Sequence, residues 1–199
     1  MARPSRRRDL RVAGGRRAVI LHLVRHGQST WNLERRLQGQ RMDVPLTALG
    51  RAQADGAALA LADVPLAAVV TSDQLRALQT AEAIAAPRGV PTHRTPLLRE
   101  QALGALEGLT YDELTAEPVP DGQHISEIRW GGGESVRDVH ARLTTFVATL
   151  RNTHAPGAEL AVVSHGDTLR ILLAVLEGRG HREVEWVEFA NGQILTRTL

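Results

Sequence analysis

The sequence predicts an α/β protein, a three-layer α/β/α sandwich with a mostly parallel central sheet. Three observations carry that prediction. Short apolar runs of strand length alternate along the chain with longer segments of helical apolar spacing. The runs are apolar at every position, as expected of strands buried on both faces. Three of them end abruptly in polar clusters, and beyond the carboxyl ends of its strands is where an open α/β sheet builds its sites.

In order, AVILHLV (18–24) is a β-branched run that stops at Arg25-His26-Gly27-Gln28-Ser29. LTALGRAQADGAALALADV (46–64) has helical spacing, with Thr47 placed as its N-cap. LAAVVT (66–71) is a second strand meeting Ser72-Asp73, and QLRALQTAEAIAA (74–86) an Ala-rich helix. GVPTHR (89–94) reads as a short strand. Residues 95–134, rich in Pro and Gly, read as a small cap of loops with one short helix near 110–116. ESVRDVHARLTTFVATLRN (134–152) is an amphipathic helix, and ELAVVS (159–164) a third buried strand ending at His165-Gly166-Asp167. TLRILLAVLEG (168–178) is helical, and VEWVEFA (184–190) and QILTRTL (193–199) read as two closing strands. One domain over 18–199 follows, without internal repeats.

Composition removes several chemistries. There is no cysteine and no lysine, and all 24 basic residues are arginine. A disulfide scaffold, a Cys-based metal centre, a cysteine nucleophile, a P-loop lysine and a Schiff-base lysine are therefore excluded. The sequence pI near 10.2 exaggerates basicity, because almost nothing titrates between histidine and arginine. Segment 1–17 holds seven arginines against one aspartate, and the rest 17 arginines against 21 acids. The body is mildly acidic and the basic tail reads as a solvated, flexible extension, so no nucleic-acid partner is expected. No stretch is apolar over the ~18 residues a membrane span needs. The expectation is a soluble, cytoplasmic protein without a membrane partner.

The three polar strand ends are Arg25-His26-Gly27, Ser72 with Arg76, and Ser164-His165-Gly166. If they converge, two arginines, two histidines and helix N-termini make a cationic pocket suited to a phosphate dianion. No acidic cluster of metal-ligand type accompanies them, and His22 and His26 lie in a strand, not on one helical face. The site is therefore expected to hold neither metal nor cofactor. Ser164 and His165 are adjacent and cannot form a hydrolase pair, and there is no G-x-S-x-G elbow. With cysteine and lysine missing, the imidazole of His26 is the best nucleophile left. A leaving alkoxide also needs a proton donor, for which Glu100, Glu107 and Glu113 are candidates.

At this point a resemblance adds to the reading. LVRHGQSTWN (23–32) resembles the signature of the histidine phosphatase superfamily, also called the phosphoglycerate mutase-like family. Gln38-Gly39 with DVPLTALGRAQA (43–54), SDQLRALQTA (72–81), LLREQALGALEG (97–108), GGGES (131–135) and VVSHGDTLR (162–170) follow in the family's order. The resemblance implies that His26 is phosphorylated in turnover and that Arg25, Asn32, Arg76 and His165 cradle the phosphoryl group. It implies that Glu100 is the proton donor and that Gln28, Ser29, Gln38 and Gly39 line the entrance. Gly131 stands where many relatives carry proline.

The expected activity is metal-independent hydrolysis of small phosphorylated metabolites through phosphohistidine. A cofactor-dependent phosphoglycerate mutase is the main alternative, and a non-catalytic phosphate-binding module a third. About thirty residues between Glu100 and the 134–152 helix make a small cap, which favours an open pocket and hydrolysis. A mutase-like Glu-Arg-x-Tyr is absent; the chain has Glu100-Gln101-Ala102-Leu103. The resemblance also admits a homodimer, since relatives include monomers and dimers.

Overall fold

Each buried apolar run of the sequence becomes a strand of one sheet. The computed structural model describes residues 18–115 and 118–199, so the basic tail lies outside the described residues. Strands β1 (Ile20–Arg25), β2 (Leu66–Ser72), β3 (Thr92–Thr95), β4 (Glu159–Ser164) and β5 (Ile194–Thr198) lie in the order β3-β2-β4-β1-β5. The first four are mutually parallel and β5 pairs antiparallel with β1.

Strand residues alternate between two cores. Leu21 and Leu23, Ala68 and Val70, and Leu160 and Val162 face the helices α4 (Val136–Thr153) and α5 (Gly166–Leu176). Val24, Val69, Ala161 and Val163 face α2 (Ala48–Ala60) and α3 (Leu75–Ala85). Burial on both faces is the reason β1, β2 and β4 are largely apolar, whereas the edge strands β3 and β5 are half-buried to exposed; three layers result. Two caps anticipate the helix starts: Thr47 accepts from Gly50 N before α2, and Ser135 with Asp138 forms a capping box before α4.

Three local readings are corrected. Residues 184–190 form no strand. Only β5 pairs with β1 on that edge, and the carbonyls of Val187 and Phe189 accept instead from the guanidinium groups of Arg170 and Arg25. Of the short helix expected near 110–116, the described residues form a single 3-10 turn, Tyr111–Glu113, closed by a Thr110–Glu113 capping box, and residue 116 lies outside them. A four-residue helix, α1 (Thr30–Leu33), follows the first polar cluster and was not anticipated, being too short for periodicity to register.

Among the described residues no helix is long and apolar enough to cross a membrane.

Candidate active site

The sheet order sets β4 between β1 and β2, so the three polar strand ends lie side by side. Arg25 is the register partner of Ser164, and Thr71 of Val163. His26 N donates to Ser164 O at 3.0 Å, and the rings of His26 and His165 stand 5.1 Å apart. Both histidines are buried.

The turn after β1 is fixed by close backbone approach. A Cβ on Gly27 would lie 2.1 Å from Gly50 O, and one on Gly50 1.9 Å from Gln28 O, so two glycines let the loop press on the start of α2. Gly27 N donates to Thr80 Oγ1 at 3.1 Å, and Thr47 N to Gln28 O at 2.9 Å. Within this turn His26 Nδ1 lies 2.7 Å from Gly27 O. A carbonyl only accepts, so Nδ1 carries the proton and Nε2 keeps a free lone pair. Burial first, then Arg76 and Arg25, hold the His26 pKa well below 6.5, against a smaller opposing effect of the Gly27 bond. His165 is likewise held well below 6.5, by burial first, then Arg76, His26, Arg142 and Arg25. Both imidazoles are neutral at pH 7.

Polar nitrogens without protein partners line this pair and its surroundings. Arg25 Nε, Arg76 Nε and both ring nitrogens of His165 are buried and unpartnered. Arg76, fully buried, donates from Nη1 to Arg41 O at 2.9 Å and from Nη2 to Gly39 O at 3.0 Å. Arg25 donates to the Phe189 carbonyl. Buried polar groups ordinarily find partners, so this cluster points to a ligand that accepts from the Nε–H groups of Arg25 and Arg76 and from the protonated nitrogen of His165, as a phosphate dianion does.

The remaining predicted residues divide by role. Asn32 Oδ1 accepts from Ser29 N and Ser29 Oγ, both at 3.0 Å, in the capping box of α1, which leaves its amide N–H groups to donate. Ser29 is fully buried and its Oγ also lies 2.8 Å from the Gln38 side-chain amide, so it holds the loop from inside. Gln28 Oε1 accepts from Thr47 Oγ1 at 2.9 Å. Gly39, at φ +45°, supplies one of the two carbonyls that grip Arg76.

Of the three candidate acids, Glu100 meets the first turn of α5 just after His165. Its Oε1 accepts from Thr168 N, Thr168 Oγ1 and Gln101 N, each at 3.0 Å, and its Oε2 only a longer bond of 3.3 Å from Asp167 N. Glu107 Oε1 instead accepts from Gln40 N and Leu103 N, and Glu113 caps its own turn at Thr110. Among the described residues no three His, Cys, Asp or Glu side chains group as a metal-binding set.

Sequence reasoning missed several residues that shape this pocket. Gln74 ties Glu100 N to the Gly39 and Arg41 carbonyls, and Asn191 Nδ2 donates to His26 O at 3.0 Å. Thr80 bridges Gly27 N and Arg76 O, while Glu134 and Arg142 brace the Glu100 loop. None carries a local sequence signal, because each acts through chain segments far away in sequence.

Residues 21–197 match the model of the histidine phosphatase superfamily (branch 1). The chain belongs to that superfamily. Its relatives include a 2,3-bisphosphoglycerate-dependent phosphoglycerate mutase of Gloeobacter violaceus, 37% identical over 178 residues, 85% of this chain and 81% of that one. Among solved structures, a mycobacterial glucosyl-3-phosphoglycerate phosphatase complexed with VO3 superposes with TM-score 0.79 at 30% identity, covering 89% of this chain and 90% of that one. A phosphoserine phosphatase mutant of Entamoeba histolytica, solved with phosphoserine, gives TM-score 0.72 at 25% identity over 89% of both chains. As a histidine phosphatase superfamily member, the chain sits in an enzyme family with phosphatase and mutase members, and the neighbouring phosphatases support a hydrolase.

Proposed function

We propose that this protein hydrolyses phosphate monoesters of small metabolites, through a phosphohistidine at His26 and without a metal. The single observation that carries the reading is the pairing of a neutral, tautomer-fixed His26 with three buried, unpartnered N–H donors, the Nε–H groups of Arg25 and Arg76 and the one protonated ring nitrogen of His165. A lone pair on Nε2 is a nucleophile only while unprotonated; burial and the two arginines favour that neutral form, and the Gly27 bond selects the tautomer that leaves Nε2 free. The donors answer the charge on phosphorus oxygens, the main demand of phosphoryl transfer.

In the first step His26 Nε2 bonds to phosphorus as the phosphorus–ester oxygen bond breaks in line. Glu100 delivers a proton to the departing oxygen from its less engaged Oε2, and help of this kind is worth ~10²–10⁴ in rate. In the second step water attacks phosphorus, Glu100 takes its proton, and the phosphorus–nitrogen bond breaks to release inorganic phosphate. Arg25, Asn32, Arg76 and His165 hold the phosphoryl oxygens throughout. The substrate is a single small molecule; chain 18–199 forms one domain, with a small cap whose described residues, 95–115 and 118–134, carry 3-10 turns.

A mutase is the second reading, favoured by the name of the Gloeobacter violaceus relative. Against it stand the short 101–133 segment and the Glu100-Gln101-Ala102-Leu103 run. The assay that decides compares hydrolysis of p-nitrophenyl phosphate with isomerisation of 3-phosphoglycerate. Hydrolysis abolished by His26→Ala, with an acid-labile label on His26 in rapid quench, is the expected outcome. Efficient isomerisation with negligible hydrolysis would overturn it, and phosphate release unaffected by His26→Ala would leave only a phosphate-binding module.

A further inference from the structure

We infer that Arg142, on α4, is a positioning residue for the acid: with Glu134 it sets where the Glu100 carboxyl stands. The inference rests on the phosphatase reading above, in which Glu100 protonates the leaving group.

The bonds run to both sides of Glu100. Arg142 Nη1 donates to Leu97 O at 2.6 Å, and Nη2 to Arg99 O at 2.8 Å and to Glu100 O at 3.3 Å. Its Nε lies 2.9 Å from Glu134 Oε1, and Nη2 3.1 Å from Glu134 Oε2. Glu134 then takes the other flank: its Oε2 accepts from Ala102 N at 3.0 Å and its backbone carbonyl from Gln101 Nε2 at 2.6 Å. One ion pair thereby grips residues 97–102 from both directions. Neither charged side chain is free to relax into solvent, since Arg142 is 13% and Glu134 23% exposed. Bonds to ionised partners in such a setting are about twice as strong as neutral ones.

Residues 99–103 need this help. They form no helix or strand, and no ladder fixes their carbonyls. A guanidinium carries five donors in a rigid fork, which suits an array of fixed carbonyls that a lysine could not match. The same pair reaches the phosphate side of the pocket. Gln40 Nε2 donates to Glu134 Oε2 at 3.1 Å, and Gln40 lies between Gly39 and Arg41, whose carbonyls hold Arg76. Arg142 touches no reacting atom in this scheme and acts only through the loop.

Leaving-group dependence tests the inference, because p-nitrophenolate departs without a proton and an alkoxide does not. The comparison is kcat/KM, which reports the first transfer, for p-nitrophenyl phosphate and glycerol 2-phosphate in the wild type, Arg142→Gln, Glu134→Gln and Glu100→Gln. We expect Arg142→Gln to lose about 10²-fold on glycerol 2-phosphate and less than about threefold on the aryl ester, matching the pattern of Glu100→Gln. The double variant Arg142→Gln/Glu100→Gln should lose little beyond Glu100→Gln alone. If Arg142→Gln does not fold, the milder Glu134→Gln keeps an acceptor for Ala102 N and serves the same comparison. Equal losses on both esters, or additive losses in the double variant, overturn the positioning role and leave Arg142 a merely structural residue. A wild type inactive on both esters removes the phosphatase reading itself, and the inference with it.

Discussion

Gln74 and Arg76 donate to the same two oxygens, the carbonyls of Gly39 and Arg41, and both side chains are fully buried. Gln74 therefore holds the 39–41 loop in place with or without Arg76. The guanidinium has only those two neutral acceptors, and burial pulls its pKa down to about 10, partly offset by Glu100 and Glu107. Still protonated at pH 7, it is a buried cation without an ion-pair partner among the described residues, an arrangement that disfavours the fold until an anion arrives.

Replacing Arg76 by methionine should separate stability from function. Gln74 continues to satisfy both carbonyls, so the Tm is expected to stay level or rise. The kcat/KM for p-nitrophenyl phosphate should fall by about 10³-fold or more, and inorganic phosphate should no longer raise the Tm. Thermal melts with and without phosphate check both halves; a melt lowered by many degrees would count against the shared-acceptor account.

Asn32→Asp asks whether Asn32 caps α1 or grips phosphate. Aspartate keeps the oxygen that accepts from Ser29 N and Ser29 Oγ, so the capping box survives. It removes the amide donors and adds a negative charge. We expect an unchanged Tm with kcat/KM reduced by about 10²-fold or more. Full activity in this variant would assign Asn32 to capping alone.

Gly27→Ala probes the backbone contact that sets the nucleophile. Its Cβ would sit 2.1 Å from the Gly50 carbonyl oxygen, a rigid backbone atom that cannot swing aside. The loop must shift, and with it the carbonyl that fixes the His26 tautomer. A loss of about 3 kcal/mol in urea unfolding is expected, with activity lost in the fraction that remains folded. Wild-type stability in Gly27→Ala would show that the turn has room to give.

How much of this was legible in the sequence depends on the range of the forces involved. Strands buried on both faces leave continuous apolar runs, so β1, β2 and β4 and their polar ends could be read directly, as could the caps at Thr47 and Ser135. The segment 184–190 misled because its apolar residues resemble a strand, whereas Phe189 is buried through a loop held by Arg25 and Arg170. Gly131 was legible only as a departure from a family pattern. At φ +60° it occupies a conformation proline cannot adopt, and a Cβ there would meet Leu103 O at 2.3 Å, so the cap takes a shape of its own. Gln74, Glu134 and Arg142 stayed invisible, since a side chain whose partners lie thirty or more residues away leaves no local pattern.

The two neutral histidines also set a pH dependence for stability. The folded chain holds His26 and His165 well below 6.5, chiefly by burial, while unfolding restores that ordinary value. Below pH 6.5 the unfolded state therefore binds protons that the folded state refuses, and stability falls as pH falls; above 6.5 neither state binds them and the contribution is complete. Each histidine gives a slope of at most about 1.4 kcal/mol per pH unit, so the pair lowers the unfolding free energy by up to about 3 kcal/mol between pH 8 and 5.5. Asp167 partly offsets this, because burial and Glu100 raise its pKa to about 6 and the folded chain takes up a proton there. Urea unfolding across that interval measures it, and His165→Asn should remove about half of the slope because one titrating group is gone. A stability that stays flat from pH 8 to 5.5 would mean the buried imidazoles accept protons readily, and with that His26 would lose its standing as a neutral nucleophile.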